Sequence, residues 1–139
     1  MAARTKSEAI EELLAAVAFE SPAQRDAARA AVLAREAEIS TGIGRGVAVP
    51  HGRTAAASRH FCAFGVAPTP IAWDAIDGQP CRLLFLCVSA EHDAAAHIRV
   101  LSQVARVLNN VATRRALETA AAPDDVRRIF LEDEEREGL

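Results

Sequence analysis

The spacing of apolar residues changes character twice along this chain, near Ile39 and again near Asp93, and that change restricts the fold class more than any other feature. Ile10, Leu13, Leu14 and Val17 recur at helical spacing, with Thr5 or Ser7 available to cap the start. Ser21-Pro22 opens a second helix, with serine as cap and proline at the first helical position, and it runs to about Glu38. Ala28, Ala31, Val32 and Arg35 lie close to one face of it. From Ile39 to Ser89 the pattern is that of strands: Val47 to Val49 stopped by Pro50, Phe61 to Ala67, a short Ile71 to Trp73 before the Asp77-Gly78 turn, and Arg82 to Val88. The last is a continuous apolar run, as expected of a strand covered on both faces. Asp93 then caps a helix reaching Leu108, with His97, Leu101, Val104 and Leu108 on one stripe. Asn109-Asn110 breaks it, a shorter helix spans about Val111 to Ala120, and Pro123-Asp124-Asp125 starts a last helix that frays into the acidic run Glu132 to Glu137. Helices, then strands, then helices in so short a chain predict an α/β sandwich with a mixed β-sheet flanked by helices.

Length and composition narrow the function classes. A chain of 139 residues suits one domain and buries a core without disulfide staples. Half the residues are hydrophobic, but 31 are alanine, and with one Trp, five Phe and no Tyr the core must be aliphatic. A net charge of −3 argues against a nucleic-acid-binding domain. No apolar run approaches the length of a membrane span, and the mixed polar segment Met1 to Glu12 is not a secretory signal. Cys62, Cys81 and Cys87 are odd in number and lack a C-x-x-C pair, so they read as reduced thiols in a cytoplasm.

The chemical signal is concentrated between Thr41 and Arg53. Gly42, Gly44 and Gly46 alternate there, yet no Gly-Lys-Ser/Thr follows, so this is not a P-loop. Val47 stands where a dinucleotide fingerprint needs its third glycine, and a strand rather than a helix comes next. The glycines therefore shape a tight strand connection. Pro50 ends the strand and presents His51 just beyond it, while Gly52 leaves room for a close approach. A stiffly held imidazole, neutral near pH 7, suits a nucleophile. The local residues fit equally a turn histidine without a chemical role. His97, in the first turn of its helix, should be mostly neutral and able to donate to a phosphoryl oxygen; taken alone it reads first as a core-edge residue packed with Leu101. Both histidines at one sheet edge favour a phosphoryl site more than either does singly. His60-Phe-Cys62 is a poor metal motif, Ser58 and Ser89 have no elbow or triad context, and the tail arginines solvate a helix.

The stretch Ser40-Thr-Gly-Ile-Gly-Arg-Gly-Val-Ala-Val-Pro-His-Gly52 resembles the active-site signature of the fructose/mannitol-type enzyme IIA domains of the bacterial phosphoenolpyruvate phosphotransferase system, which include the nitrogen-regulatory enzyme IIA proteins. Arg35-Glu36 upstream, the Ile71 to Pro80 stretch downstream, and His97 at the head of a helix extend the match over nearly the whole chain. The resemblance implies a mixed sheet flanked by helices. It implies that His51 accepts a phosphoryl group from the histidine-containing phosphocarrier protein. His97 would stabilise that group and Arg35 would lend electrostatic support. The partner downstream would be a IIB domain of a sugar permease or a regulatory target protein.

The chemistry needs position and charge stabilisation rather than a cofactor, and the residues seen require neither metal nor nucleotide. Such a chain is a phosphoryl-transfer component rather than an autonomous enzyme. Residues 1–139 would form one enzyme IIA domain, lacking the N-terminal strand that family members usually carry, with a homodimer as one way to cover the sheet edge. The nitrogen-regulatory branch is preferred to sugar transport, on the absence of an attached permease segment and on the Trp73 to Pro80 stretch. The alternative is a non-catalytic regulatory module that docks to a kinase, channel or transcription factor; a metal-dependent hydrolase is a distant third. Cytoplasmic location and no membrane insertion are expected throughout.

Overall fold

The computed structural model describes residues 1–120 and 122–136. Its first two helices begin at the expected caps. The Thr5 hydroxyl accepts from the Glu8 N–H at the head of α1 (Lys6–Ala16), and the Ser21 hydroxyl accepts from the Gln24 N–H at the head of α2 (Pro22–Glu38). The strands follow: β1 (Gly42–Gly44), β2 (Val47–Ala48), β3 (His51–Thr54), β4 (Phe61–Ile71) and β5 (Cys81–Ala90). Then come α3 (Ala94–Leu108), α4 (Val111–Glu118) and α5 (Pro123–Arg136), capped by Asp93 for α3 and Asn110 for α4. The acidic run expected to fray is helical as far as Arg136, and residue 137 lies outside the described residues.

The five strands form one mixed sheet organised around β5. β4 runs antiparallel to β5 from Phe61↔Val88 to Ile71↔Cys81. β2 and β3 both run parallel to β5 and keep one register offset, Val47↔Leu83 and His51↔Cys87. Because β4 occupies one side of β5, β2 and β3 lie end to end along the other, interrupted at Val49-Pro50. The ladder is bridged there by the Cys87 N–H donating to the Pro50 carbonyl at 3.1 Å. β1 folds back antiparallel on β2.

Two sequence expectations need correction. His51 is not beyond a strand end: it is the first residue of β3, because the proline costs one donor and the chain resumes pairing at once. Ile71 does not start a separate strand but closes β4. Pro68 and Pro70 are tolerated within it because β4 pairs with β5 only and its register shifts between Val66 and Ile71.

Alternation along the strands divides the core into two layers. Leu84, Leu86 and Val88 pack with Ile10, Leu13 and Leu14 of α1 and with Ala28 and Val32 of α2. Leu83 packs with Val47, Val49, Val104, Leu108, Leu117 and Ile129 beneath α3, α4 and α5. The same alternation sorts β3. His51, paired with Cys87, belongs to the α3 side, and Gly52 faces α2. No helix among the described residues is long and apolar enough to cross a membrane.

Candidate functional site

The site is set by how β3 is held from both sides. On the α2 side, a Cβ at Gly52 would stand 2.9 Å from backbone atoms of Ala31 and Val32. The glycine thus admits the α2 backbone, rather than a partner group, against the strand that carries His51. The hairpin before it turns through three consecutive positive φ angles, at Gly44, Arg45 and Gly46 (97°, 61° and 77°). Asp77 clamps this turn by accepting from the Arg45 N–H at 2.9 Å; that bond, above all, holds its carboxyl below the usual value. The glycines shape a strand connection, as expected.

His51 is oriented by its own backbone. Its Nδ1 lies 2.8 Å from the Val49 carbonyl oxygen. A carbonyl only accepts, so Nδ1 carries the proton and Nε2 keeps a free lone pair. The ring is half-buried, and its centroid stands 5.4 Å from that of His97 with 53° between the planes. Burial holds the His51 pKa below its ordinary value; the Val49 bond opposes that, the Arg35 charge lowers it further, and Glu36 raises it. His51 is therefore neutral at pH 7.

His97 sits in the first turn of α3, buried to 8% exposure. Its pKa is lowered to about 4, first by burial and then by repulsion from His51, Arg53 and His60 in their charged forms. The expected neutrality holds, but burial is its leading cause. Arg35, in the last turn of α2, donates from Nη1 to the Ile39 carbonyl at 2.7 Å and so anchors a positive charge that His51 feels. The three residues singled out in the sequence are thus brought into one electrostatic neighbourhood.

Glu36 does a different job from its neighbour. Its carboxylate accepts from the Thr41 N–H (2.9 Å), from the Thr41 hydroxyl, and from Lys6 Nζ (3.2 Å). The Trp73 indole N–H donates to the same Thr41 hydroxyl at 3.2 Å. This buried network pins the start of the signature to α2.

Sequence reasoning set Ser89 aside as a nucleophile, gave Arg53 no role, and rejected His60 as a metal ligand. Ser89 is fully buried in β5, with Oγ 2.7 Å from His97 Nδ1 and 3.0 Å from His60 Nδ1. Cys87, on the same face, reaches Ser89 at 3.5 Å and is the cross-strand partner of Cys62. The three cysteines are free thiols. The signal for Ser89 was available: it falls two residues after Cys87, on the strand face that His51 shares. Seeing it required the β3–β5 register.

The fold is that of phosphotransferase-system IIA domains. The crystal structure of nitrogen regulatory protein IIA-Ntr from Neisseria meningitidis superposes with a TM-score of 0.85 at 33% identity, covering 94% of this chain and 89% of that one. The complex of enzyme IIA-mannitol with phosphorylated enzyme IIB-mannitol from Escherichia coli matches with a TM-score of 0.72 at 22% identity, covering 95% of this chain and 91% of that one. At sequence level, residues 1–133 match the family model described as phosphoenolpyruvate-dependent sugar phosphotransferase system, EIIA 2, and the chain belongs to that family. It is 36% identical over 129 residues to the PTS system fructose-specific EIIA component of Haloferax volcanii, covering 92% of this chain and 84% of that protein. It is 38% identical over 105 residues to the nitrogen regulatory protein of Escherichia coli (strain K12), covering 75% of this chain and 64% of that protein. The chain thus spans slightly less than two thirds of that last relative.

Proposed function

We propose that this chain is a phosphohistidine carrier that holds a phosphoryl group on Nε2 of His51. The observation that carries the reading is the Nδ1 bond to the Val49 carbonyl, which leaves Nε2 as the nucleophilic nitrogen. In the transfer, the His51 Nε2 lone pair forms a bond to phosphorus as the P–N bond of the donor phosphohistidine breaks. The donor imidazole leaves with that electron pair. His51 keeps its Nδ1 proton, and the Val49 carbonyl stabilises the positive charge that develops on the ring. A loose transition state asks the protein for alignment and for donors to the equatorial oxygens. His97 and the Arg35 charge supply that environment.

The donor is the histidine-containing phosphocarrier protein, and the chain works as one domain in the cytoplasm. A IIB domain is the natural recipient in sugar transport, as the mannitol IIA–IIB complex illustrates for its own proteins. We favour the regulatory branch, in which the phosphoryl group marks the state of the carrier for a target protein. The higher structural similarity to the nitrogen regulatory protein than to the mannitol protein supports this choice.

Incubation with phosphoenolpyruvate and the two upstream carriers adds one acid-labile phosphate to the wild type and none to His51→Ala. Equal labelling of that variant overturns the assignment. For the branch, the phosphorylated protein keeps its label when mixed with a fructose-type IIB domain; rapid transfer places it in sugar transport.

A further inference from the structure

Beside the paired imidazoles lies a third histidine whose contacts the transfer chemistry above does not use. His60 is half-buried just before β4, and its Nδ1 meets the Ser89 hydroxyl, which meets His97 Nδ1 in turn. Cys87 Sγ is the third neighbour of that hydroxyl. A serine hydroxyl has one proton to give and two lone pairs. With three neighbours it donates to one and accepts from the other two. The two histidines therefore cannot both present a bare Nδ1 to it with full satisfaction: where the hydroxyl donates to one, the other must carry its proton on Nδ1.

The direction of this chain matters because His97 has a single proton to place. Its burial keeps the ring neutral at pH 7. With Nδ1 engaged at Ser89, Nε2 is the nitrogen left to meet a phosphoryl oxygen on His51. It can do so as a donor only if Nδ1 is bare and accepts from Ser89. Ser89 must then accept from His60 Nδ1–H and from the Cys87 thiol. His60 is well suited to hold that end. It is partly open to water, and Nδ1 is the ring nitrogen turned to Ser89.

Resting on the phosphohistidine reading, we propose that His60, acting through Ser89, is a positioning residue that sets the tautomer of His97 and so presents His97 Nε2–H to the phosphoryl group on His51.

The test reads the tautomer itself. Long-range ¹H–¹⁵N correlation spectra of the full chain, uniformly ¹⁵N-labelled, at pH 7.5 and without phosphate donor, show His97 protonated at Nε2 and bare at Nδ1. In His60→Phe a population protonated at Nδ1 appears, and phosphoryl acceptance by His51 slows by roughly tenfold, the weight of one well-placed hydrogen bond. His60→Gln, whose amide N–H can still donate to Ser89, restores the wild-type tautomer and most of the rate. A wild-type His97 protonated at Nδ1 overturns the proposal, as does a His97 spectrum that neither variant changes. Should His60→Phe fail to fold, the smaller His60→Leu, which likewise cannot donate to Ser89, takes its place, and a wild-type His97 tautomer in it overturns the proposal. Because the tautomer is read without phosphorylation, a chain that accepts no phosphate refutes the carrier reading and leaves the His60–Ser89–His97 result standing on its own.

Discussion

The imidazole of His51 is tied to the carbonyl of Val49, two residues back across Pro50, by a 2.8 Å contact at Nδ1. The proline makes that contact geometrically cheap. It removes a ladder donor and separates β2 from β3 along β5, and the Val49 carbonyl beside it accepts from the His51 ring. One short tripeptide thereby decides which nitrogen of the ring is free.

Burial of His97 makes stability depend on pH. Its folded pKa of about 4 lies below the ordinary histidine value, so the unfolded chain binds a proton that the native state refuses. The cost is absent above roughly pH 6.5, grows as pH falls, and levels off near the folded value, reaching at most about 3 kcal/mol. Urea unfolding followed by Trp73 fluorescence at pH 7.0, 5.5 and 4.5 should show His97→Gln losing less stability on acidification than the wild type. Parallel losses in the two proteins would refute the claim.

The Glu36–Thr41–Trp73 network should behave as a buried polar unit. Thr41→Val leaves the Trp73 indole N–H without its acceptor and a Glu36 oxygen without a donor. A loss of about 1–3 kcal/mol is expected. Glu36→Gln should cost a similar amount, since the 3.2 Å pair with Lys6 loses its charge. Unfolding free energies unchanged by both substitutions would mean that the network does not hold the signature in place.

Gly52→Ala tests the close approach of β3 and α2. The new methyl would press on the backbone of Ala31 and Val32, which cannot rotate away. Destabilisation of about 1–3 kcal/mol should result, with slower phosphoryl acceptance, because the strain is applied next to His51. An alanine variant as stable as the wild type would show that the helix yields freely.

Much of this architecture was legible because its local signals agree with its packing. Ser21-Pro22 and Asp93 mark helix starts, and Cys81 to Ala90 is buried on both faces, as its apolar run implied. That His51 and His97 stand together, with ring centroids 5.4 Å apart, follows the expectation that both lie at one sheet edge, whereas Arg35 was singled out through the family resemblance alone. What could not be read was anything that depends on register. The continuation of β2 into β3 past Pro50 is set by pairing with a strand more than thirty residues away. The place of Ser89 beside His60 and His97 could not be read without that register, because the three come from different parts of the chain. The division of labour between Arg35 and Glu36 likewise emerges only once Thr41 and Trp73 are brought beside α2.

The most direct measurement is the site of phosphate attachment. The ¹⁵N-labelled protein, phosphorylated through its donor and examined by combined ³¹P and ¹⁵N spectroscopy, should show a single phosphohistidine at His51, with phosphorus on Nε2 and the proton retained on Nδ1. Phosphate found on Nδ1, or on any residue other than His51, would contradict the account.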